Sequence, residues 1–263
     1  MSVASAPTND FHELLAKVPQ ITALFWITKI FATTFGETAG DALSMSLNLG
    51  YLLSTFIFAA VFIGAVFFQI KSKQYQPFLY WFTIIASTTV GTTLADFVDR
   101  SLGIGYVGGS TILLSLVGLS LWIWHQAEGS ISPQAVNHPR AELFYWLTIT
   151  FSQTLGTALG DWSADTAGLG YSGGIALFSA LIALIFVLYK FTKVSHTLLF
   201  WSAFILTRPL GAVVGDFLDK PISSGGLDLS RFAASAVLLA AISLCVYWSQ
   251  RTEGPLNRQI SNG

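Results

Sequence analysis

The sequence predicts an all-α polytopic membrane protein with eight transmembrane helices, arranged as four parallel αα-hairpin repeats. Three observations carry this reading. The chain has 263 residues, of which 53% are hydrophobic and only 10% charged, against roughly 25% charged in a soluble domain. One pattern recurs four times without a gap: FWITKIFATTFGETAGD (25–41), YWFTIIASTTVGTTLAD (80–96), YWLTITFSQTLGTALGD (145–161) and FWSAFILTRPLGAVVGD (200–216). Each copy opens on an aromatic-Trp pair, places a Gly ten residues after the Trp, and ends on an Asp five residues later. Between these copies lie apolar runs long enough to cross a hydrocarbon core at ~20 residues per helix.

Residues 1–18 read as a cytoplasmic leader with a short amphipathic piece at Phe11, Leu14 and Leu15. They lack the basic and apolar regions of a signal peptide, so insertion is expected to be driven by the spans. The spans fall near 20–42, 49–70, 77–98, 105–125, 142–162, 169–189, 198–217 and 230–248. The division that follows is 19–125 for repeats 1 and 2, a cytoplasmic linker at 126–141, 142–250 for repeats 3 and 4, and a cytoplasmic tail at 251–263. The linker, QAEGSISPQAVNHPRA, is marked as a loop by its Pro, Gly and Ser.

Within each repeat the first span carries the polar residues and the second is bland. A helix that is apolar all round can face lipid, whereas charge cannot do so cheaply. The first spans are therefore expected to form an inner ring and the second an outer layer. Lys17, Lys71, Lys73, Arg140, Lys190, Lys193, Arg251 and Arg258 fall on one side, and Arg100, Lys220 and Arg231 on the other. The positive-inside rule then makes both termini cytoplasmic. Each unit holds two spans, so all four units point the same way, about an axis along the membrane normal. The two halves repeat at an offset of 120 residues, as Trp26 and Trp146, or Trp81 and Trp201, show.

The segments KVPQITALFWITKIFATTFGETAGD in the first unit and TRPLGAVVGDFLDKP in the fourth carry a resemblance. The chain resembles the bacterial uncharacterised membrane-anchored proteins built from four tandem two-helix repeats of unknown function. The resemblance covers about residues 18–250 and implies only topology; the expected location is a bacterial inner membrane. It implies no chemistry.

Residues four apart share a helix face. Counting back from each Asp gives Asp41, Glu37, Thr33 and Lys29; then Asp96, Thr92 and Thr88; then Asp161, Thr157 and Gln153; then Asp216, Ala212 and Arg208. Glu37 lies about 16 Å along its helix from Trp26 at 1.5 Å per residue, near the middle of the membrane. Beside this stripe runs a ridge of small residues that favours close packing of helix backbones: Gly36 and Gly40, Gly91 and Ala95, Gly156 and Gly160, Gly211 and Gly215. The carboxylates, with Thr92, Thr157 and Gln153, are the candidate ligands of an ion or small solute. Asp41, Asp96, Asp161 and Asp216 are the candidate metal ligands, with helix caps as their structural alternative. Lys29 and Arg208 either pair with these acids or meet an anion, and Lys29 could instead snorkel to the surface. The aromatic-Trp pairs read as interfacial anchors. Asp99, Asp165 and Asp219 read as solvated loop residues or caps.

The expected function is transport of a hard cation of the Mn²⁺, Mg²⁺ or H⁺ class through an acidic intramembrane site. The alternatives are an anion or organic-acid carrier using Lys29 and Arg208, and a non-transporting scaffold or sensor. The lone Cys245 and the scattered His residues make no metal site. No nucleophile-base constellation emerges, so no enzyme is expected, and no cofactor. The expected partners are the lipid bilayer and an inorganic cation or small solute, with self-association left open. A net charge of −1 argues against nucleic acid.

Overall fold

A computed structural model describes the backbone of residues 17–261 and side chains through Arg251. The amphipathic leader and the tail side chains lie outside the described residues. The described residues form eight long helices: α1 Ala23–Asp41, α2 Gly50–Lys71, α3 Pro77–Asp96, α4 Gly105–Glu128, α5 Pro139–Asp161, α6 Gly170–Phe191, α7 His196–Asp219 and α8 Arg231–Ser261. No strand occurs among the described residues. Local chemistry sets the starts. Thr22 accepts a hydrogen bond from the Phe25 backbone N–H at 3.3 Å at the head of α1. Pro77 and Pro139 begin α3 and α5, where a missing N–H costs nothing. Six helices, α2, α3, α4, α6, α7 and α8, are long and apolar enough to cross a membrane.

The four repeat helices α1, α3, α5 and α7 form a closed ring, α1 against α3, α3 against α5, α5 against α7, and α7 against α1. Small residues close it in register. A Cβ at Gly36 would overlap the Thr88 side chain, one at Gly91 the backbone of Gln153, one at Gly156 the Arg208 side chain, and one at Gly211 the Thr33 side chain. Each glycine thus meets the same position of the next repeat, the residue seven after its Trp. Threonines tie the backbones together: Thr88 donates to the Ala32 carbonyl, Thr92 to that of Gly36 and Thr33 to that of Thr207, each at 3.2 Å. Matching positions meet around the whole ring, so the four helices run parallel, as the repeat pattern requires.

The outer helices depart from the expected pairing. Each packs chiefly on the inner helix of the following repeat: α2 on α3, α4 on α5, α6 on α7, and α8 on α1. The packed hairpins are therefore shifted by one helix relative to the sequence repeat, and the last helix closes on the first. The cause lies at the Asp end of the ring. After Asp41, Asp96 and Asp161 the helix widens into π turns at Ala42–Ser46, Phe97–Ser101 and Trp162–Thr166. Two left-handed residues follow, spaced by one: Asn48 and Gly50, Gly103 and Gly105, Gly168 and Gly170. Glycine and asparagine adopt this conformation at least cost, and it carries the chain sideways to the next inner helix. The outer faces then expose large apolar side chains, among them Phe56, Ile63, Phe186 and Leu244, as a lipid-facing layer requires.

The opposite end of the ring corrects the anchor reading of the aromatic pairs. Phe25, Tyr80, Trp81, Tyr145, Trp146, Phe200 and Trp201 are buried and form one cluster with Trp124. The hydroxyls of Tyr80 and Tyr145 share a hydrogen bond of 2.6 Å. These aromatics plug the ring from within. Four parallel helices bring the same position to one level, so rings that would each face lipid on a lone helix stack on one another here.

Candidate functional site

The polar stripe of every inner helix turns into the ring, and the stripes build three levels between the aromatic plug and the Asp end. Lys29 lies nearest the plug. It is fully buried, its Nζ standing 3.6 Å from the centroid of the Phe204 ring, with no hydrogen-bond acceptor in the protein. It does not reach the surface, so the snorkelling alternative is set aside.

Arg208 occupies the middle level and is also fully buried. Its two Nη2 hydrogens are shared among Glu37 Oε2 at 3.0 Å, Thr92 Oγ1 at 2.6 Å and Thr157 Oγ1 at 2.5 Å. Thr92 Oγ1 also lies 3.2 Å from Glu37 Oε2. Glu37, Thr92 and Thr157 are equivalent positions of three repeats, and the fourth, Ala212, is small. That alanine leaves space for the arginine of its own helix to reach the centre. Gln153 shares the register of Arg208 and is buried, but neither of its amide atoms has a partner.

At the third level, Asp41, Asp96, Asp161 and Asp216 are all buried. Asp41, Asp96 and Asp161 make no side-chain cap bond to the turns they precede, so the capping alternative fails for these three. Two basic residues tie the quartet in pairs. Arg100 meets Asp96 at 2.9 Å and Asp161 at 3.0 Å. Lys220 meets Asp216 at 3.0 Å and also pairs with Asp41. Arg231 adds a bond of 3.0 Å to Asp219 and lies 3.9 Å from Asp41. Asp99 and Asp219 are buried rather than solvated, whereas Asp165 is exposed as expected. Burial pulls the Lys220 ammonium down, but Asp216, Asp41 and Asp219 outweigh it and hold its pKa above the ordinary lysine value.

Six buried carboxylates therefore face three basic side chains at this end. Among the described residues, Asp41 Oδ1, both carboxylate oxygens of Asp99 and Asp219 Oδ1 have no hydrogen-bond partner. Among the described residues, one group of three acids brings an oxygen from each within 4.8 Å of the others: Asp41, Asp216 and Asp219. Arg100 bridges Asp96 and Asp161, and Lys220 bridges Asp41 and Asp216, so the repeat quartet is held as two ion-paired couples. Neither Arg100 nor Lys220 was singled out among the candidate site residues. The signal was present: both lie four residues after a repeat Asp, and they stand 120 residues apart, the offset of the two halves.

The model of the Repeat of Unknown Function (DUF347) matches the chain four times, over residues 24–75, 79–130, 144–195 and 199–254. The chain belongs to this family. No curated protein and no solved structure matches it significantly. Each DUF347 unit contains one inner helix with its polar stripe and the outer helix that packs on the next unit. A single DUF347 repeat thus supplies one wall of the ring, and the charged levels exist only when four are closed together.

Proposed function

We propose that this DUF347 protein is a membrane transporter for a hard cation, with a site at the Asp end of the helix ring. In this reading all eight helices span the membrane of a bacterial cell, with both termini cytoplasmic and the Asp end facing outward. The observation that carries the reading is the buried excess of carboxylates over basic groups there. Buried charge is retained where it is paired or where it binds a charged ligand. Asp41, Asp216 and Asp219 offer a hard oxygen set at a spacing that suits Mg²⁺, Mn²⁺ or Ca²⁺.

The Lys220 ammonium occupies the position of a bound cation between Asp41 and Asp216. Arg100 does the same between Asp96 and Asp161. A cation entering the first pair displaces Lys220, so the lysine acts as a tethered competitor that holds the site when no cargo is present. Glu37, deeper and bonded to Arg208, is the candidate proton carrier: its protonation releases Arg208 and links the two levels.

Flux of Mn²⁺ and Mg²⁺ into proteoliposomes, with and without a pH gradient, tests the proposal. Asp216→Asn is expected to abolish flux, and Glu37→Gln to uncouple it from the gradient. Lys220→Met is expected to strengthen metal binding measured by thermal stabilisation. No flux of any hard cation, or flux indifferent to Asp216→Asn, would leave the scaffold reading in its place.

A further inference from the structure

Below the aspartate level the balance of charge reverses. Lys29 and Arg208 bring two basic side chains into the ring, and Glu37 is the one buried acid on the same stripes between the plug and the Asp end. That acid is already held by Arg208 Nη2 and Thr92. The donors left over are numerous. Lys29 Nζ, Arg208 Nε and Nη1, and Gln153 Nε2 are buried and have no acceptor among the described residues.

They span one helical turn of the ring: Lys29 lies at the register of Phe204, and Gln153 at that of Arg208, one turn further along. The Lys29 ammonium sits on the Phe204 ring, and Phe204 is one turn from Arg208 on α7. Gln153 comes from the adjoining α5, at the register of Arg208. The helices bearing these side chains adjoin in sequence around the ring, α1 to α7 and α7 to α5. The π face of Phe204 attracts the ammonium but accepts no conventional hydrogen bond. A buried donor set with a surplus positive charge is costly unless an acceptor of opposite charge joins it.

We propose that Lys29, Arg208 and Gln153 form a binding site for one small monovalent anion, a halide or a short carboxylate. With Lys29 protonated the surplus is one charge, which an anion of single charge neutralises. The close approach of Gly156 to Arg208 and of Gly91 to Gln153 draws the walls together and sets the small size. Such an anion accepts from the ammonium, the free guanidinium N–H groups and the amide, leaving the Arg208–Glu37 pair in place. The site lies apart from Asp41, Asp216 and Asp219, and it stands whether or not a cation is transported.

The test is thermal unfolding of the purified full chain in detergent, titrated with sodium chloride, bromide, formate or acetate. Ionic strength is held constant with sodium gluconate, whose anion is too bulky to enter. At least one of the four anions is expected to stabilise the wild type saturably. A halide response and a carboxylate response identify the two sources separately. Lys29→Met is expected to weaken that binding about tenfold or more. Gln153→Leu, which leaves both charges in place, is expected to weaken it less, and it keeps the test valid if the Lys29 variant does not fold. Absence of saturable stabilisation by every anion, or unchanged affinity in both variants, overturns the proposal.

Discussion

Arg208 shows what a single residue does at the centre of this ring. Its guanidinium joins Glu37, Thr92 and Thr157, drawn from three different helices. Removing one partner of a buried pair leaves the other charge uncompensated, at a cost of about 3–5 kcal/mol. Arg208→Gln is expected to destabilise the protein by that amount in detergent unfolding. Glu37→Gln combined with Arg208→Gln should recover part of the loss, because the double variant buries no lone charge at that pair. Full additivity of the two losses would mean that the pair does not act as a unit. Lys220 makes a second prediction with a defined sign. Its folded pKa lies above the unfolded value, about 10.4 for a free lysine. Its contribution is therefore fully present below the unfolded pKa and is lost as pH rises through the folded one. The melting difference between wild type and Lys220→Met should hold steady from about pH 6 to 9 and narrow only in stronger alkali. A difference that closes between about pH 7 and 9 would contradict the pairing with Asp41 and Asp216.

At the scale of the element, the inner helices are built to touch and the outer ones are not. Gly156 faces Arg208 so closely that a methyl group would displace it, whereas Gly118 on α4 has open space beyond its Cα. Gly156→Ala is expected to cost roughly 1–3 kcal/mol through overpacking. Gly118→Ala should be neutral or stabilise by up to about 1 kcal/mol, since it only raises helix propensity. Equal melting temperatures for the two variants would remove the argument for close packing around the ring. The polar stripe was legible from the sequence because residues four apart share a face whatever the helix packs against. The Trp pairs were misread because a helix taken alone does not reveal whether its aromatic end meets lipid or three similar ends. Asp99 and Asp219 were misjudged for a related reason. Proximity to a turn suggested solvent, but α4 closes over Asp99 at Gly109, and Arg231 covers Asp219.

At the scale of the molecule, closure is the main result. The outer helix of the fourth repeat completes the circle on the first inner helix, where Thr38 Oγ1 and Ser235 Oγ lie 2.8 Å apart. With Cys245→Ser to remove the native thiol, Thr38→Cys paired with Ser235→Cys is expected to cross-link within one chain under mild oxidation, read as a mobility shift on denaturing gels. A cross-link only between chains would mean that the ring closes through a second copy. The same view shows a twofold relation within the fourfold repeat. Arg100 and Lys220 occupy matching places in the second and fourth units, and each binds the aspartates of two successive units. Repeats 1 and 3 have Met45 and Asp165 at that place, so two cations serve four acids.

The helical class, the four units, the parallel sense of the inner helices and the face on which their polar residues lie are all legible in the order of residues. Each of these follows from periodicity and composition, which act along one helix at a time. Only the tertiary structure decided which charges meet. It set Arg100 and Lys220 between pairs of aspartates, buried the tryptophans against one another, and moved each outer helix onto the next repeat. Those outcomes depend on the sideways step of the π turns and on the spacing of helices around a closed ring. Both bring together side chains that lie tens to hundreds of residues apart along the chain.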